Sequence, residues 1–415
     1  MRRLILYSLA TASALRSFAT NEPPTDWVDP DTGHRVIRIS TQQNSASLYF
    51  HQNTFTPDGD KMIFDTPQGI AAVDLRTLGD RPAHIEIVVT NASPLAMAWK
   101  SREVYFRRQG ILCAANVDTR EIREVFKGRV LAVNCDETWV VNTANENDPP
   151  TTVPKPGPRT ILPQRERMFG GRTNLSREEL NSATKEDRLS RRLTSQRCMA
   201  FVFTNLKTGQ STTNGYQYAW LNHLQFSPTD PNLLLYCHEG TWHEVDRIWT
   251  IRIDGTQRQL RHKRTMDMEI AGHEFWSHDG QTIWFDLQTP RSQKFWIAGL
   301  NIRTGKETRY QVERDGWSVH YNVSRDGRLF AGDGGDPGQV AFAPDGMWIN
   351  LFRPQPDGNI PRERLVNLAK QDYYGNNGEP NVSITPDNKW VVFRSNMHGP
   401  THVYAVEIAK TSAKH

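Results

Sequence analysis

A turn of the form Ser/Thr-x-Asp-Gly, followed by a short apolar strand, returns along most of the chain and constrains its fold more than any other feature. Copies stand at Phe55-Thr56-Pro57-Asp58-Gly59 before Met62-Ile63-Phe64, at Phe226-Ser227-Pro228 before Leu233-Leu234-Leu235-Tyr236, and at Ser277-His278-Asp279-Gly280 before Ile283-Trp284-Phe285. Two more are Ser324-Arg325-Asp326-Gly327 before Leu329-Phe330, and Thr385-Pro386-Asp387-Asn388 before Trp390-Val391-Val392-Phe393. Weaker copies lie near 99–106 and 134–141. Asp-Gly and Asp-Asn supply the left-handed backbone of a tight turn, and an alternating strand after such a turn is half buried.

Each copy is followed by a second hairpin with a polar turn, as at Leu206-Lys207-Thr208-Gly209, Ile253-Asp254-Gly255 and Ile302-Arg303-Thr304-Gly305. Two hairpins make a four-stranded antiparallel blade, and a period of about 40 to 50 residues is the propeller range. Seven copies predict an all-β, seven-bladed β-propeller occupying 20–415 as a single domain. A β-sandwich uses fewer regular units. Blade three carries a long insertion, about 145–196, which opens with Pro149, Pro150, Pro154, Pro156 and Pro158. It turns basic and helix-permissive over 176–190, and is expected to form a partly ordered lid over the central funnel.

The start of the chain reads as a signal peptide over 1–19. Arg2 and Arg3 precede an apolar stretch at 4–15, and Ser17-Phe18-Ala19 offers small residues at the cleavage positions. A periplasmic or secreted protein is expected, with no membrane span, since the apolar run is too short to cross a bilayer permanently. A formal net charge of +4 is too small and too evenly spread to point to nucleic acid. Cys113, Cys135, Cys198 and Cys237 form no CxxC pair and read as buried free thiols.

Histidines and carboxylates gather at matching places just ahead of successive turns: His51-Gln52, Asn222-His223, Gly272-His273-Glu274, Val319-His320 and Gly378-Glu379-Pro380-Asn381. These residues begin the innermost strand of each blade, whose end faces the channel, so they converge on one axis. A single histidine there is more often a structural partner than a catalyst, but five blades offering His, Glu or Asn at one register point to a funnel site. Glu239, Glu244 and Asp246 are expected to orient neighbouring His or Arg side chains. There is no GxSxG elbow, HExxH helix or phosphate-binding glycine loop. Gly332-Asp333-Gly334-Gly335-Asp336 lacks the spaced acceptors of a calcium loop and reads as a tight turn.

At these residues the chain resembles the oligogalacturonate lyase family. The matching stretches are Cys237-His238-Glu239-Gly240 with Asp246-Arg247-Ile248-Trp249, then His273-Glu274-Phe275-Trp276 with Asp279-Gly280, followed by Ser324 to Gly334 and Ser383 to Asp387. The resemblance covers segments from about Gly33 to Ile408, outside the insertion. It implies a divalent metal, typically manganese, in the funnel, and β-elimination on short uronate chains, an acidic oligosaccharide substrate. His273 matches one metal ligand of the family. The family's Gln-x-x-His-x-His element reads Asn376-Asn377-Gly378-Glu379-Pro380-Asn381 here, so the implied metal set is His273, Glu379, Asn381 and Asn376. Such a set gives a hard ion more oxygen character; otherwise Arg247 or Arg394 neutralises the substrate carboxylate.

For the base that takes the C5 proton, His238 and His223 rank first, with Arg247 binding the carboxylate. His243, His320, Arg394 and His51 are expected on the substrate side. Two other readings stand beside the lyase. One is a non-catalytic periplasmic propeller of the TolB type, which has no need of His223, His238 and His273 at matching positions. The other is a hydrolase using Glu239 and Glu379 as its carboxylate pair.

Overall fold

The computed structural model describes residues 22–80, 83–157, 172, 174–335 and 341–410. The expected signal peptide lies outside the described residues. Seven antiparallel sheets follow one another around the molecule, as the turn repeat predicts. Blades II to VI each have four strands, beginning at Pro94–Met97, Ala132–Val133, Leu221–Phe226, Ile270–Trp276 and Tyr321–Val323.

The ring closes through blade VII. Ser383–Ile384, Trp390–Ser395 and His402–Lys410 come from the end of the chain, and His34–Arg38 and Asp26–Val28 from its beginning. Val36 pairs with Val406, Ile37 with Ala405 and Arg38 with Tyr404. Joining the two ends in one sheet ties the ring shut with main-chain hydrogen bonds. Blade I departs from the four-strand expectation. It has three strands, Lys61–Thr66, Gly69–Asp74 and Ile85–Thr90. Its inner edge is an irregular segment touching the sheet through the bridges Ala46↔Asp65 and Phe55↔Met62.

One backbone bond recurs in every blade. The N–H of Thr56, Ala98, Asn134, Ser227, Ser277, Ser324 and Thr385 donates to the carbonyl of Lys61, Glu103, Trp139, Leu233, Thr282, Leu329 and Trp390, respectively, at 2.8–3.0 Å. The two weak sequence copies are therefore built like the others. The hydrophobic core is a ring of interfaces between adjacent blades. Met62, Phe64, Trp390 and Val403 join blades VII and I; Ile63, Val89, Val104 and Phe106 join I and II; Phe201, Leu224, Leu234 and Tyr236 join III and IV. The four cysteines are buried and free.

In blade III, Trp139–Glu146 pairs with Cys198–Asn205, and between them lies a helix, α1, Arg177–Thr194. Ser176 and Glu179 cap it reciprocally, each side chain accepting from the other's backbone N–H. α1 lies across neighbouring blades. Arg192 pairs with Glu239 of blade IV at 2.5 Å, Glu186 with Arg291 of blade V at 3.1 Å, and Arg177 with Asp372 ahead of blade VII at 3.5 Å. Leu189 packs with Trp242 and Ile270. Among the described residues no helix is long and apolar enough to cross a membrane.

Candidate active site

Counting back four residues from each recurrent turn anchor gives Gln52, Pro94, Val130, His223, His273, His320 and Asn381. His223 and His273 lie where their inner strands slip register against the next strand, between Asn222 and Gln225 and between Gly272 and Phe275. Such bulges re-aim side chains at a sheet rim. His223, His273 and Asn381 all take left-handed backbone, with φ of 50°, 47° and 52°. That conformation costs a non-glycine residue on the order of 1 kcal/mol, and its return at one register in three blades marks a functional position.

The irregular inner segment of blade I fills the centre of this ring. Phe50 lies 4.9 Å from the His320 ring and 6.2 Å from His273, centroid to centroid. Its N–H donates to Asn381 Oδ1 at 3.1 Å, and its carbonyl accepts from Asn322 at 3.2 Å. Tyr49 packs edge-on against His51, His223 and His320, and its hydroxyl is 3.4 Å from His320 Nε2. One segment thus touches blades IV to VII.

Two imidazoles are oriented by buried carboxylates. His273 Nδ1 lies 2.8 Å from Asp286 Oδ1, and His320 Nδ1 lies 2.6 Å from Asp333 Oδ2. Both carboxylates are at most 2% exposed, and the two rings stand 4.9 Å apart. A carboxylate on Nδ1 fixes the tautomer and aims Nε2. Among the described residues nothing hydrogen-bonds His273 Nε2, whereas Tyr49 faces that of His320. Burial lowers the pKa of His273 and Asp286 opposes the shift, so the ring is neutral near neutral pH.

Beneath these rings lies a buried ion pair, Arg247 Nε to Glu274 Oε2 at 2.9 Å. Burial alone would raise the Glu274 carboxyl, but Arg247 and His223 hold it below the ordinary range. Burial opposes the Arg247 charge, and Cys237, Glu274 and Glu239 outweigh it. His223 Nδ1, Cys237 Sγ and Glu274 form the one group of three such donors within 4.8 Å of one another among the described residues. Burial, with His223 beside it, lowers the pKa of His51 to about 3.

Several expected residues stand elsewhere. His238 does not join the axial group. Successive strand residues face opposite sides, so Cys237 turns to Glu274 while His238 stacks on Trp249 at 4.7 Å and meets Gln217 at 2.8 Å. Burial lowers its pKa to about 3. His243 is buried, 3.7 Å from Glu244 and 3.5 Å from Arg291. Glu239 is held by Asn222 and Arg192, and Asp246 meets Arg264. With Glu244 beside His243, each of the three carboxylates meets a neighbouring His or Arg side chain, as expected, and none of these partners is an axial histidine.

The expected metal set does not assemble around His273. Asn376 is exposed, with its amide 3.3 Å from Asn44. Asn381 uses both ends of its amide, accepting from Phe50 and donating to the Glu379 carbonyl at 3.0 Å. Glu379 is the member that faces charge. Burial would raise its carboxyl, but His320, Lys185 and Arg394 hold it low. Arg394 donates to the carbonyls of Glu379 and Ser47 at 2.7 and 3.1 Å.

Four participants were not singled out from sequence. Asp286 hides in an apolar strand and Asp333 in the glycine-rich turn, while Glu274 carried no role within its motif. Lys185 of α1 lies 5.1 Å from the Trp242 ring, which is 6.2 Å from that of His273. A carboxylate inside Ile283-Trp284-Phe285-Asp286-Leu287 is a readable signal; nothing distinguishes Lys185 from the other cations of its helix.

A family model described as oligogalacturonate lyase matches residues 167–412. The chain is 28% identical over 221 residues to the oligogalacturonide lyase of Pectobacterium atrosepticum, a match covering 51% of this chain and 56% of that protein. It is 24% identical over 396 residues to the oligogalacturonate lyase of Dickeya dadantii, covering 92% and 95%. Among solved structures, an oligogalacturonate lyase in complex with manganese superposes with a TM-score of 0.69 at 21% identity, covering 93% of this chain and 96% of that one. The oligogalacturonate lyase of Vibrio parahaemolyticus gives the same score and coverage at 19% identity.

Proposed function

Because the chain belongs to the oligogalacturonate lyase family, we propose that it cleaves short pectin-derived uronate chains by β-elimination, with His273 as the base. The observation that carries this reading is the His273–Asp286 pair: a neutral imidazole, aimed by a buried carboxylate, whose outer nitrogen has no partner among the described residues. That is the equipment for taking a proton from carbon near neutral pH.

A uronate C5 proton is hard to remove while the neighbouring carboxylate keeps its charge. Once that charge is met, His273 Nε2 takes the proton. The C5–H electron pair becomes the C4=C5 bond, the C4–O bond breaks, and the departing oxygen takes up a proton. Asp286 stabilises the imidazolium. Arg247, 3% exposed with its Nε on Glu274, anchors the floor of the site. His51, His223 and His320 line the substrate side with Tyr49.

The resemblance also carries a divalent ion, and one solved relative binds manganese; such an ion would neutralise the uronate carboxylate. This chain's expected donors do not fit it, because Asn376 is exposed and Asn381 has both amide ends engaged. The paired imidazoles favour a catalyst over a propeller that only binds.

The test is to incubate the protein with oligogalacturonates and follow reducing ends together with the ultraviolet absorbance of a double bond conjugated to the carboxylate. Elimination gives one new double bond per broken linkage. Reducing ends without absorbance would mean hydrolysis, and neither signal on any chain length would overturn the reading.

A further inference from the structure

We propose that Lys185 of α1 meets the carboxylate of the reacting uronate in place of a divalent ion, with Arg394 on the facing wall. This rests on the lyase reading of the funnel, and it starts from the donor mismatch in blade VII. Elimination needs a positive charge beside the substrate carboxylate whatever supplies it.

Four cations approach the site. Arg247 is buried, with Nε on Glu274 and Nη1 without a hydrogen-bond partner among the described residues, and Arg394 commits Nε and one terminal nitrogen to backbone carbonyls. Lys185 and Arg188 come from above, on α1, and with Tyr373, Glu379 and Arg394 they line a cavity of about 430 Å³ between the helix and blade VII. That volume falls in the range of small-ligand pockets.

Lys185 is placed for the role by its surroundings. Its ammonium stands over the Trp242 ring at 5.1 Å; burial lowers its pKa, Glu379 opposes that shift, and its charge also acts on His273. His273 is not among the residues lining that cavity; the Trp242 ring, 5.1 Å from the Lys185 ammonium and 6.2 Å from the His273 ring, links the cation of the helix to the base of blade V. Arg188 is exposed and further out on the same face. Ion pairs at Glu239, Arg291 and Asp372 hold the helix at three places, so Lys185 is positioned rather than free-swinging. Lysine brings a compact point charge on a flexible stem, suited to following a carboxylate as charge moves onto it.

Two measurements on the full chain test this, using Lys185→Met, which keeps an unbranched side chain but removes the charge over Trp242, and Lys185→Arg, which keeps the charge. The first is kcat/KM on trigalacturonate in the presence of EDTA. Wild type keeps its activity after chelation, Lys185→Met loses about 100-fold, as for loss of one charge-stabilising group, and Lys185→Arg retains most of it. The second is calorimetric affinity for digalacturonate against the uncharged galactose disaccharide. Wild type prefers the acid, and Lys185→Met narrows that preference while its circular dichroism is unchanged. Wild-type kcat/KM in Lys185→Met, an unchanged preference for the acid, or activity lost to EDTA and restored by manganese would each overturn the proposal. A wild type inactive on every oligogalacturonate, with the acid preference still dependent on Lys185, would instead overturn the lyase reading and leave the carboxylate site standing.

Discussion

Blades II and III and blades IV to VII share the same turn and differ at the residue four places before it. The first two blades put Pro94 and Val130 there; the others put His223, His273, His320 and Asn381. The difference is one of backbone as well as chemistry. Three of the four polar residues take φ near +50°, a region closed to proline and strongly disfavoured for valine. Blades II and III therefore cannot present a side chain in this way, and the site draws on blades IV to VII and the inner segment of blade I. Turn positions specify the fold in every blade, and the axial position is left for function in some.

The sharpest way to break this comparison is to remove the axial chemistry. His273→Ala should lower kcat/KM on oligogalacturonate by about a thousand-fold, within the range of a lost general base, with little change in melting temperature. Next in size is the floor of the site. Arg247→Met leaves Glu274 buried without its partner and should cost about 3–5 kcal/mol in urea unfolding. The Glu274 carboxyl is depressed in the folded protein. In wild type the pair's contribution is therefore complete above the ordinary glutamate pKa of about 4.3, and is lost as pH falls toward the depressed value.

Asp286→Asn should cost about 10- to 100-fold in activity, the usual size for a group that orients a functional histidine. Asp286 raises the His273 pKa against burial. Its loss lets the ring become neutral at lower pH, so the acidic limb of the pH profile of kcat/KM moves down. The smallest effect belongs to blades II and III. Asn134 accepts from the Thr138 and Trp139 N–H groups and donates to the Pro231 carbonyl of the next blade. Asn134→Ala should cost about 1–3 kcal/mol in stability and leave kcat unchanged. Lost kcat there would undo the division between the two groups of blades.

Most of the architecture was legible because Asp-Gly turns are written in residue types that few other positions tolerate. Blades II and III read weakly for a physical reason. Their turns lack Asp-Gly, and Glu137 instead serves both, taking φ of 64° in its own turn while accepting from the Lys100 and Ser101 N–H groups of its neighbour. The axial register was legible from spacing, which brought out His223, His273, His320 and Asn381, with His51 next to it. The facing of His238 was not, because Cys237 and His238 are adjacent on a strand and only the packed structure decides which one turns inward. Asp286 and Asp333 act through histidines far from them in sequence. Lys185 lies in an insertion outside the repeat, where no register assigns it a position.

Removal of the C5 proton by an imidazole of blade V is the central step. The most direct measurement is a single-turnover comparison of ordinary oligogalacturonate with the same chain deuterated at C5, in wild type and in Asp286→Asn. A slower double-bond signal for the deuterated chain in both, with Asp286→Asn slower overall, is the predicted result. Equal rates for the two chains in both proteins, or cleavage that leaves deuterium on C5, would contradict it.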